Sequence, residues 1–290
     1  MLEIKNGRFT AQVDPAGAQI VSLQDGGREL LWTGDPAYWH EHAPVLFPIV
    51  GALRDGRVKI KGQWFEMARH GFAKRMGFAV DRQTGSAVSL TLRADGETKK
   101  LYPFDFALTV AYSLEEDGYT TQFTVENTGK EALPFAIGGH PGFNLPMEEG
   151  ARFEDYTIQF EKDEDQVCPT VHMDTGLLDY ERLGFALKGR EIPLRHSLFY
   201  GDALVFRHLN SRRVRLVNKS TGRGVEMYFG SEFPMLGIWS AQNDGPYVCL
   251  EPWTGCATLT TEGDELTEKF NMLAIEPGTK YSFSFTVRVL

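Results

Sequence analysis

Hydrophobic and polar residues alternate in several segments of the chain. At the carboxyl end every second residue is apolar and the residues between are polar; the apolar set is Tyr281, Phe283, Phe285, Val287 and Val289. A period of two is typical of a strand with one buried face. Segments 108–114 and 119–125 show similar alternation, and residues 115–118 between them suit a hairpin loop because glycine accepts a positive φ.

Turn residues are spread over the whole chain. The sequence has 30 glycines and 14 prolines, which fits many short strands joined by turns. No long segment has the helical period of 3.6, and only residues 35–42 and 174–183 are candidates for a short helical turn. There is no linker-like composition shift, low-complexity stretch or internal repeat. We therefore predict one all-β domain over residues 1–290, a large antiparallel sandwich or barrel.

Composition and charge narrow the possible partners. The chain has 42% hydrophobic and 24% charged residues, with 30 basic against 39 acidic side chains and a formal charge of −9. A net negative charge opposes non-specific binding to nucleic acid or to an anionic membrane. The longest apolar candidate, residues 44–53, is too short to span a bilayer, and the amino terminus lacks the apolar stretch of a signal peptide.

The cysteine content points to a reducing compartment. The chain has three cysteines and no C-x-x-C motif, so we interpret them as reduced thiols. Together with the missing signal peptide, this predicts a cytoplasmic protein without nucleic-acid or membrane partners.

Several motifs of well-known enzyme classes are missing. The sequence has no P-loop, no glycine-rich turn between a strand and a helix, no G-x-S-x-G and no H-E-x-x-H. These absences argue against kinases, dinucleotide-dependent dehydrogenases and zinc proteases.

Polar residues embedded in apolar, glycine-rich segments are the candidates for chemistry. The segments are FPIVGALRDG followed by RHGFAK, then FAIGGHPGFNLP, and YVCLEPWTG. They carry Arg54, His70, His140 and Glu251. Burial at the end of an apolar strand raises the pKa of a glutamate and makes it a better base. Histidine, with an ordinary pKa near 6.5, can supply the matching acid, so the set is typical of general acid/base chemistry.

Each of these residues also has a structural interpretation. A single His or Glu near a β-turn is commonly a hydrogen-bonded structural group, and the pattern around His40 and His42 favours the surface. By pattern alone, Asp202 is a turn residue before an apolar strand. Trp253 and Phe143 are core candidates that could also form an apolar floor under a sugar ring.

The motifs together resemble the aldose 1-epimerase (mutarotase) family, and more closely a divergent bacterial branch of it. The matching pieces occur in the family's order across residues 43–255: APVLFPIVGALRDG, RHGFAK, GGHPGFNLP, GDALVF and LEPWTG. The amino-terminal NGRFTAQVDPAGAQIVSL is similar to the family's opening hairpins. The resemblance therefore covers nearly the whole chain.

The resemblance implies a β-supersandwich that interconverts the α and β anomers of a free aldose, a hexose or a related aldose, without cofactor or metal. It implies that Glu251 removes the proton of the C1 hydroxyl and that His140 protonates the ring oxygen. His70 would hydrogen-bond the ring oxygen or a neighbouring hydroxyl, while Arg54 and Asp202 would hold sugar hydroxyls. The expected assembly is a monomer or a homodimer.

Two departures from the family pattern leave the substrate open. Galactose-type members resemble H-x-Y-F-N-L where this chain has HPGFNL. Relatives specific for hexose 6-phosphates carry an arginine after H-G-x-A, where this chain has Lys74 followed by Arg75. Lysine binds phosphate as a point charge without the bidentate fork of arginine. A hexose and a hexose 6-phosphate are therefore both candidate substrates.

Two further hypotheses stay open from the sequence. One is a non-catalytic carbohydrate-binding or sugar-sensing protein on the same scaffold, since a fold does not dictate function. The other is a metalloenzyme in which His70, His140 and Glu251 form a two-histidine, one-carboxylate site.

Overall fold

The alternating segments form the largest sheet of the protein. The computed structural model describes residues 1–290. Its nine-stranded antiparallel sheet contains, in spatial order, β16 (Leu178–Pro193), β15 (Tyr156–Val171), β18 (Arg213–Asn218), β19 (Gly224–Phe229), β23 (Lys280–Val289), β11 (Gly118–Asn127), β10 (Phe106–Leu114), β9 (Ala87–Arg93) and β8 (Ala79–Gln83).

A second, six-stranded sheet carries most of the candidate residues. Its order is β17 (Leu204–Arg207), β20 (Met235–Trp239), β21 (Tyr247–Trp253), β13 (Gly138–Gly139) and β5 (Val45–Leu46), with β14 (Gly142–Asn144) also paired to β21. The short strands reflect the frequent Gly and Pro residues, which interrupt the ladder.

The remaining strands form smaller sheets around these two. They are β1 (Leu2–Lys5), β2 (Phe9–Asp14), β3 (Gln19–Asp25) and β4 (Arg28–Glu29) in one sheet, β12 (Leu133–Phe135) with β22 (Leu273–Ile275), and β6 (Arg57–Ile60) with β7 (Gln63–Glu66). The helical elements are α1 (Gly96–Leu101) and the 3-10 turns Arg54–Gly56, Ala73–Arg75, Phe153–Asp155, His196–Phe199 and Leu266–Glu268. No helix has the length and apolar character needed to cross a membrane.

The two large sheets pack face to face around a common core. Phe160 of β15 contacts Phe206 of β17, with ring centroids 5.4 Å apart. A Cβ at Gly139 of β13 would lie 2.6 Å from the ring of Phe285 in β23, so a glycine is needed where the sheets approach. The main core cluster contains 66 buried residues. The prediction of an all-β antiparallel fold is confirmed.

The predicted strands 108–114, 119–125 and 281–289 all form, with two local differences. Tyr281 is 53% exposed although the alternation places it on the buried face, because it lies near the end of β23, beyond the packed centre of the sheet. The hairpin glycine, Gly118, does not have a positive φ. It is required for another reason: a Cβ there would lie 1.8 Å from the carbonyl oxygen of Val287 on the neighbouring strand.

The two predicted helical turns have different outcomes. Residues 35–39 form one hydrogen-bonded turn, in which the backbone N–H groups of Tyr38 and Trp39 donate to the Asp35 carbonyl oxygen, whereas residues 178–183 lie in β16. The α-helix begins instead at Gly96, where the Asp95 side chain accepts hydrogen bonds from the backbone N–H groups of Glu97 and Thr98. Six residues are too few for a helical period to be visible, so the capping residue was the available signal.

Strands β15 and β16 form a long hairpin whose tip reaches the six-stranded sheet. Each has 16 residues, and the register shifts at several points along the pair. At the tip, Leu178 forms a β-bridge with Leu259, and a Cβ at Gly176 would lie 2.9 Å from the Cβ of Ala52. The tip thereby closes one side of the cavity described next.

Candidate active site

Two adjacent strands bring His140 and Glu251 together. Gly142 pairs with Cys249, and the register of β13 and β14 along β21 continues so that His140 lies opposite Glu251. Directly opposed residues of an antiparallel pair have their Cβ atoms about 4.5–5.5 Å apart on the same face. The sequence separation of the two residues is therefore irrelevant to their contact, which the register alone produces.

Burial controls the charge on this pair. His140 Nε2 lies 3.1 Å from Glu251 Oε2, and the two residues are 7% and 1% exposed. Burial lowers the pKa of His140 to about 3. Burial also raises the pKa of Glu251 well above its ordinary value, and the nearby Asp202 carboxylate adds to the shift. Both directions favour an uncharged pair that holds one proton.

Aromatic rings fix the orientation of the His140 imidazole. Trp39 stacks on it with ring centroids 4.8 Å apart, and Trp239 meets it edge-on at 5.6 Å. With the ring clamped on two sides, Nε2 is directed at Glu251 and at the cavity.

His70 is held in an unusual backbone conformation. Its φ is 69°, its backbone N–H donates to the carbonyl of Gly51 at 2.9 Å, and the Gly51 N–H donates to His70 Nδ1 at 3.1 Å. The following Gly71 has φ 74°, and a Cβ there would lie 2.1 Å from the Phe47 carbonyl oxygen. The RHG sequence thus sets the ring position through backbone contacts that tolerate only glycine after the histidine.

The contact with Gly51 also assigns the tautomer of His70. Because Nδ1 accepts a hydrogen bond, the neutral ring carries its proton on Nε2. Burial lowers the pKa of His70 well below its ordinary range, and the adjacent His140 adds to the effect. His70 is therefore a neutral hydrogen-bond donor at the cavity, with its ring centroid 5.6 Å from that of His140.

Asp202 faces the same cavity and is paired with Arg69. Arg69 Nη2 donates to Asp202 Oδ2 at 3.0 Å. Asp202 has φ 75°, and its other carboxylate oxygen accepts from the Ala203 N–H at 2.8 Å. The turn before β17 therefore orients the carboxylate. Asp202 is a turn residue, as the sequence pattern predicts, and its side chain also faces the cavity.

Lys74 is paired rather than free. Its Nζ lies 2.8 Å from a carboxylate oxygen of Glu41, and their side chains are 8% and 17% exposed. Arg75 is exposed and makes no ion pair. The buried positive charge at the cavity is thus already balanced by a carboxylate of the chain.

These side chains line one cavity of about 320 Å³. Of the predicted site residues, His70, His140, Glu251, Asp202, Lys74 and Trp253 lie on it. Trp253 follows Glu251 by two residues and so faces the same side of β21. Its ring packs over Gly237, where a Cβ would lie 2.5 Å from the indole.

Phe143 and Arg54 lie elsewhere. Phe143 pairs with Val248 and therefore faces the opposite side of the sheet from His140, where it is fully buried in the main core. The odd spacing of three residues between His140 and Phe143 is the physical reason.

Arg54 anchors a loop instead of facing the cavity. Its guanidinium donates to the carbonyl oxygens of Leu259, Thr260 and Glu262 and to the Asp264 carboxylate, at 2.9–3.2 Å. Every one of these partners lies in the 259–264 loop. The prediction that Arg54 holds sugar hydroxyls thus finds no support in the geometry.

Residues at the cavity that escaped the sequence reasoning include Arg69, Trp39, Glu41, Trp239 and Gln242. Arg69 stands beside His70 within the RHGFAK motif, and that adjacency was the available signal. Trp39 and Glu41 belong to the segment WHEH, whose histidines were interpreted as surface residues. Their approach to His140 and Lys74 depends on a long-range fold of that turn and has no local signature.

One buried group of side chains beside the cavity has the donor set of a metal site. His140, Cys249 and Glu251 each offer one ligand atom, and these atoms lie within 4.8 Å of one another. His70 is not in this group, so the geometry differs from the two-histidine, one-carboxylate arrangement considered above.

The role of Arg54 can be tested by substitution. Arg54→Met removes four hydrogen bonds to the 259–264 loop, so we expect the free energy of unfolding to fall by about 1–3 kcal/mol. Because Arg54 does not line the cavity, the apparent affinity for sugar should stay within about twofold. Urea unfolding and sugar titration measure the two effects. A large loss of sugar affinity in a protein of unchanged stability would contradict this assignment.

Comparison with known proteins identifies the family of the chain. The aldose 1-epimerase family model matches residues 1–273. The chain is 35% identical to the chromosomal protein LacX of Lactococcus lactis subsp. lactis, over 99% of each chain. It is similar in structure to a galactose mutarotase related enzyme from Lactobacillus acidophilus, with TM-score 0.94, 31% identity and coverage of 100% of this chain and 97% of the other.

A second solved structure shows the same relationship. A galactose mutarotase-like protein from Lactobacillus casei has TM-score 0.90 and 28% identity, with both chains covered completely. The family match extends over most of the chain, and the chain therefore belongs to the aldose 1-epimerase family.

Proposed function

We propose that the protein is a cofactor-independent mutarotase that interconverts the α and β anomers of an unphosphorylated hexose or a closely related aldose. The observation that carries the proposal is the buried His140–Glu251 pair, held 3.1 Å apart on the wall of a sugar-sized cavity. A buried acid/base pair with opposed pKa shifts is typical of a proton-transfer site.

The proposed reaction begins with ring opening. The Glu251 carboxylate removes the proton of the C1 hydroxyl while His140 gives a proton to the ring oxygen. The C1–O5 bond breaks and a carbonyl forms at C1. Rotation about the C1–C2 bond then presents the other face of the carbonyl to the O5 hydroxyl.

Ring closure reverses both proton transfers. His140 takes back the O5 proton as O5 attacks C1, and Glu251 returns a proton to O1. The pair ends with the same single proton with which it began. No electron moves and no charge accumulates, so the reaction balances with the residues of the chain alone.

The burial of the pair explains how one proton can serve both steps. Burial favours the neutral arrangement with the proton on Glu251. Transfer of that proton to His140 over the 3.1 Å contact creates the base and the acid together. The C1 hydroxyl and ring oxygen of the sugar are then the groups that hydrogen-bond the resulting charges.

The other cavity residues orient the sugar. His70 presents Nε2–H, a fixed donor for the ring oxygen or a neighbouring hydroxyl. Asp202 is an acceptor for hydroxyls, and Arg69 keeps its carboxylate in place through the 3.0 Å contact. Trp253 supplies an apolar surface at the cavity wall.

The charge balance favours an unphosphorylated sugar. The two cations nearest the pair, Arg69 and Lys74, are each bound to a carboxylate of the chain. A phosphate would have to compete with Asp202 or Glu41 for them. Arg75 at the rim is exposed, and an exposed cation contributes little to binding.

Removal of either member of the pair is the direct test of catalysis. Glu251→Gln and His140→Asn should each lower kcat by about 10²–10⁴-fold with a smaller change in KM, since each removes one proton transfer. Anomer exchange of pure α-glucose and α-galactose, followed by NMR, gives the rates. Glu154→Gln and His172→Asn, outside the cavity, are matched controls that should retain activity. Sugar binding by all variants without any acceleration by the parent would instead support a binding protein.

The pH profile tests the charge state of the histidines. Because the pKa of His140 is lowered to about 3 and that of His70 is also lowered, neither gains a proton as the pH falls from 8 to 5. We therefore expect no loss of kcat/KM as the pH falls through that range, after subtraction of the spontaneous rate. Activity should fall as the pH rises through the pKa of Glu251, which burial raises well above its ordinary value, because the pair then loses its proton. A loss of activity with falling pH and a midpoint near 6.5 would contradict the assignment.

Substrate charge can be tested with one substitution. We expect kcat/KM for hexoses to exceed that for their 6-phosphates by at least about tenfold. The reason is that the buried cations at the cavity are already paired with carboxylates, so none is free to bind the phosphate. Glu41→Gln frees Lys74 and should shift the preference toward the 6-phosphates. Lys74→Met is the matched control and should not. A parent enzyme that prefers 6-phosphates and loses that preference in Lys74→Met would establish a hexose-6-phosphate mutarotase.

A further inference from the structure

A third reactive side chain lies buried beside the acid/base pair, and the proposed reaction does not use it. Cys249 and Glu251 are alternate residues of β21, so their side chains leave the same face of the strand; Glu251 lines the cavity, and Cys249 is fully buried. His140 lies on the adjacent strand, and one ligand atom from each of the three lies within 4.8 Å of the others. All three residues are buried. Mutarotation needs two of these groups, and the thiol has no part in it.

Two polar atoms of this group have no hydrogen-bond partner within the protein. His140 Nδ1 and Glu251 Oε2 are buried and make no hydrogen bond; the 3.1 Å contact of Oε2 is with the other ring nitrogen, Nε2. Buried polar atoms are nearly always paired, and an unpaired one costs about 1–3 kcal/mol. The group is therefore suited to a ligand that several lone pairs can share.

The spacing of the three groups is close to that of a zinc site. Ligand atoms about 2.0–2.3 Å from a tetrahedral Zn²⁺ are about 3.3–3.6 Å from each other. His140 Nε2 and Glu251 Oε2 are already 3.1 Å apart, and no two ligand atoms of the group are more than 4.8 Å apart. Gly142 is opposite Cys249, and a Cβ there would lie 3.3 Å from Sγ and crowd the thiol.

The donor set selects a particular class of cation. A thiolate, an imidazole and a carboxylate suit Zn²⁺ and related thiophilic ions, whereas Mg²⁺ and Ca²⁺ prefer oxygen ligands alone. A thiolate and a carboxylate also balance the two positive charges, which matters in a buried site.

We infer that this buried group beside the cavity is an inhibitory site for a thiophilic divalent cation such as Zn²⁺, held by His140, Cys249 and Glu251. Two of the three ligands, His140 and Glu251, line the cavity. Binding releases the thiol proton and the proton of the acid/base pair to solvent, and it occupies the lone pairs that ring opening requires. The geometry of the three side chains supports metal binding by itself. The inhibitory effect depends, in addition, on the proposed mutarotase activity.

Calorimetric titration of the full chain with zinc chloride tests the binding. We expect one equivalent of Zn²⁺ per chain, and an affinity at least about tenfold weaker in Cys249→Ala, since loss even of a supporting group costs that much. Cys168→Ala removes a thiol that is equally buried in β15 and is the matched control with unchanged affinity. Equal binding by the parent and Cys249→Ala, or no stoichiometric binding, would overturn the inference.

Cobalt substitution gives a spectroscopic test of the thiol ligand. Co²⁺ bound to the parent should show a sulfur-to-metal charge-transfer band that is missing in Cys249→Ala. Cys249→Ser keeps the side-chain volume and serves if the alanine variant does not fold; it should also lack the band. A band that persists in both variants would place the metal at another cysteine and overturn the assignment.

Kinetics separate inhibition from binding. We expect Zn²⁺ to stop anomer exchange by the parent, a chelator to restore it, and Cys249→Ala to keep its basal rate while losing at least about tenfold in sensitivity. Saturating sugar should weaken zinc binding in the calorimeter. If the parent does not exchange anomers at all, the proposed function fails, yet the calorimetric comparison still decides the metal site. Equal zinc sensitivity of the parent and Cys249→Ala would overturn the inhibitory role.

Discussion

The antiparallel register of residues 138–144 along β21 is the constraint on which the site depends. It places His140 opposite Glu251, and a slip of one residue would turn the histidine to the other face of the sheet. Backbone hydrogen bonds on both sides of the pair fix the register, so the strands pre-organise the two groups. The glycines around His140 help to keep this register. The two sheets approach closely there, and only residues without a Cβ allow the strand pairing to continue.

Burial sets the protonation states of His140 and Glu251. On a protein surface a carboxylate would be charged near neutral pH, an imidazole would titrate near pH 6.5, and water would screen both groups. Enclosed by Trp39 and Trp239, the same groups share one proton, because separated charges are costly in a medium of low polarity. The surrounding ion pairs, with Arg69 on Asp202 and Lys74 on Glu41, supply polar contacts without adding net charge to the cavity.

The cavity is assembled from elements distant in sequence. The six-stranded sheet supplies His140 and Glu251, the turn before β17 supplies Asp202, and the backbone around Gly51 holds His70. The tip of the β15–β16 hairpin closes one side. Long-range strand pairing is therefore needed before any binding surface exists. Family membership and structural similarity to galactose mutarotase-like proteins are consistent with a scaffold that keeps this assembly.

The sequence by itself determined the strands with clear alternation, the all-β class and the ordered motifs of the family, because these depend on local periodicity and residue type. It also singled out His70, His140 and Glu251 as chemically distinctive. Tertiary structure alone decided that Arg54 anchors a loop and that Phe143 belongs to the core. The physical reason is that a residue's neighbours across a sheet depend on register and loop placement, which hydrogen bonds between distant segments set and local sequence does not encode.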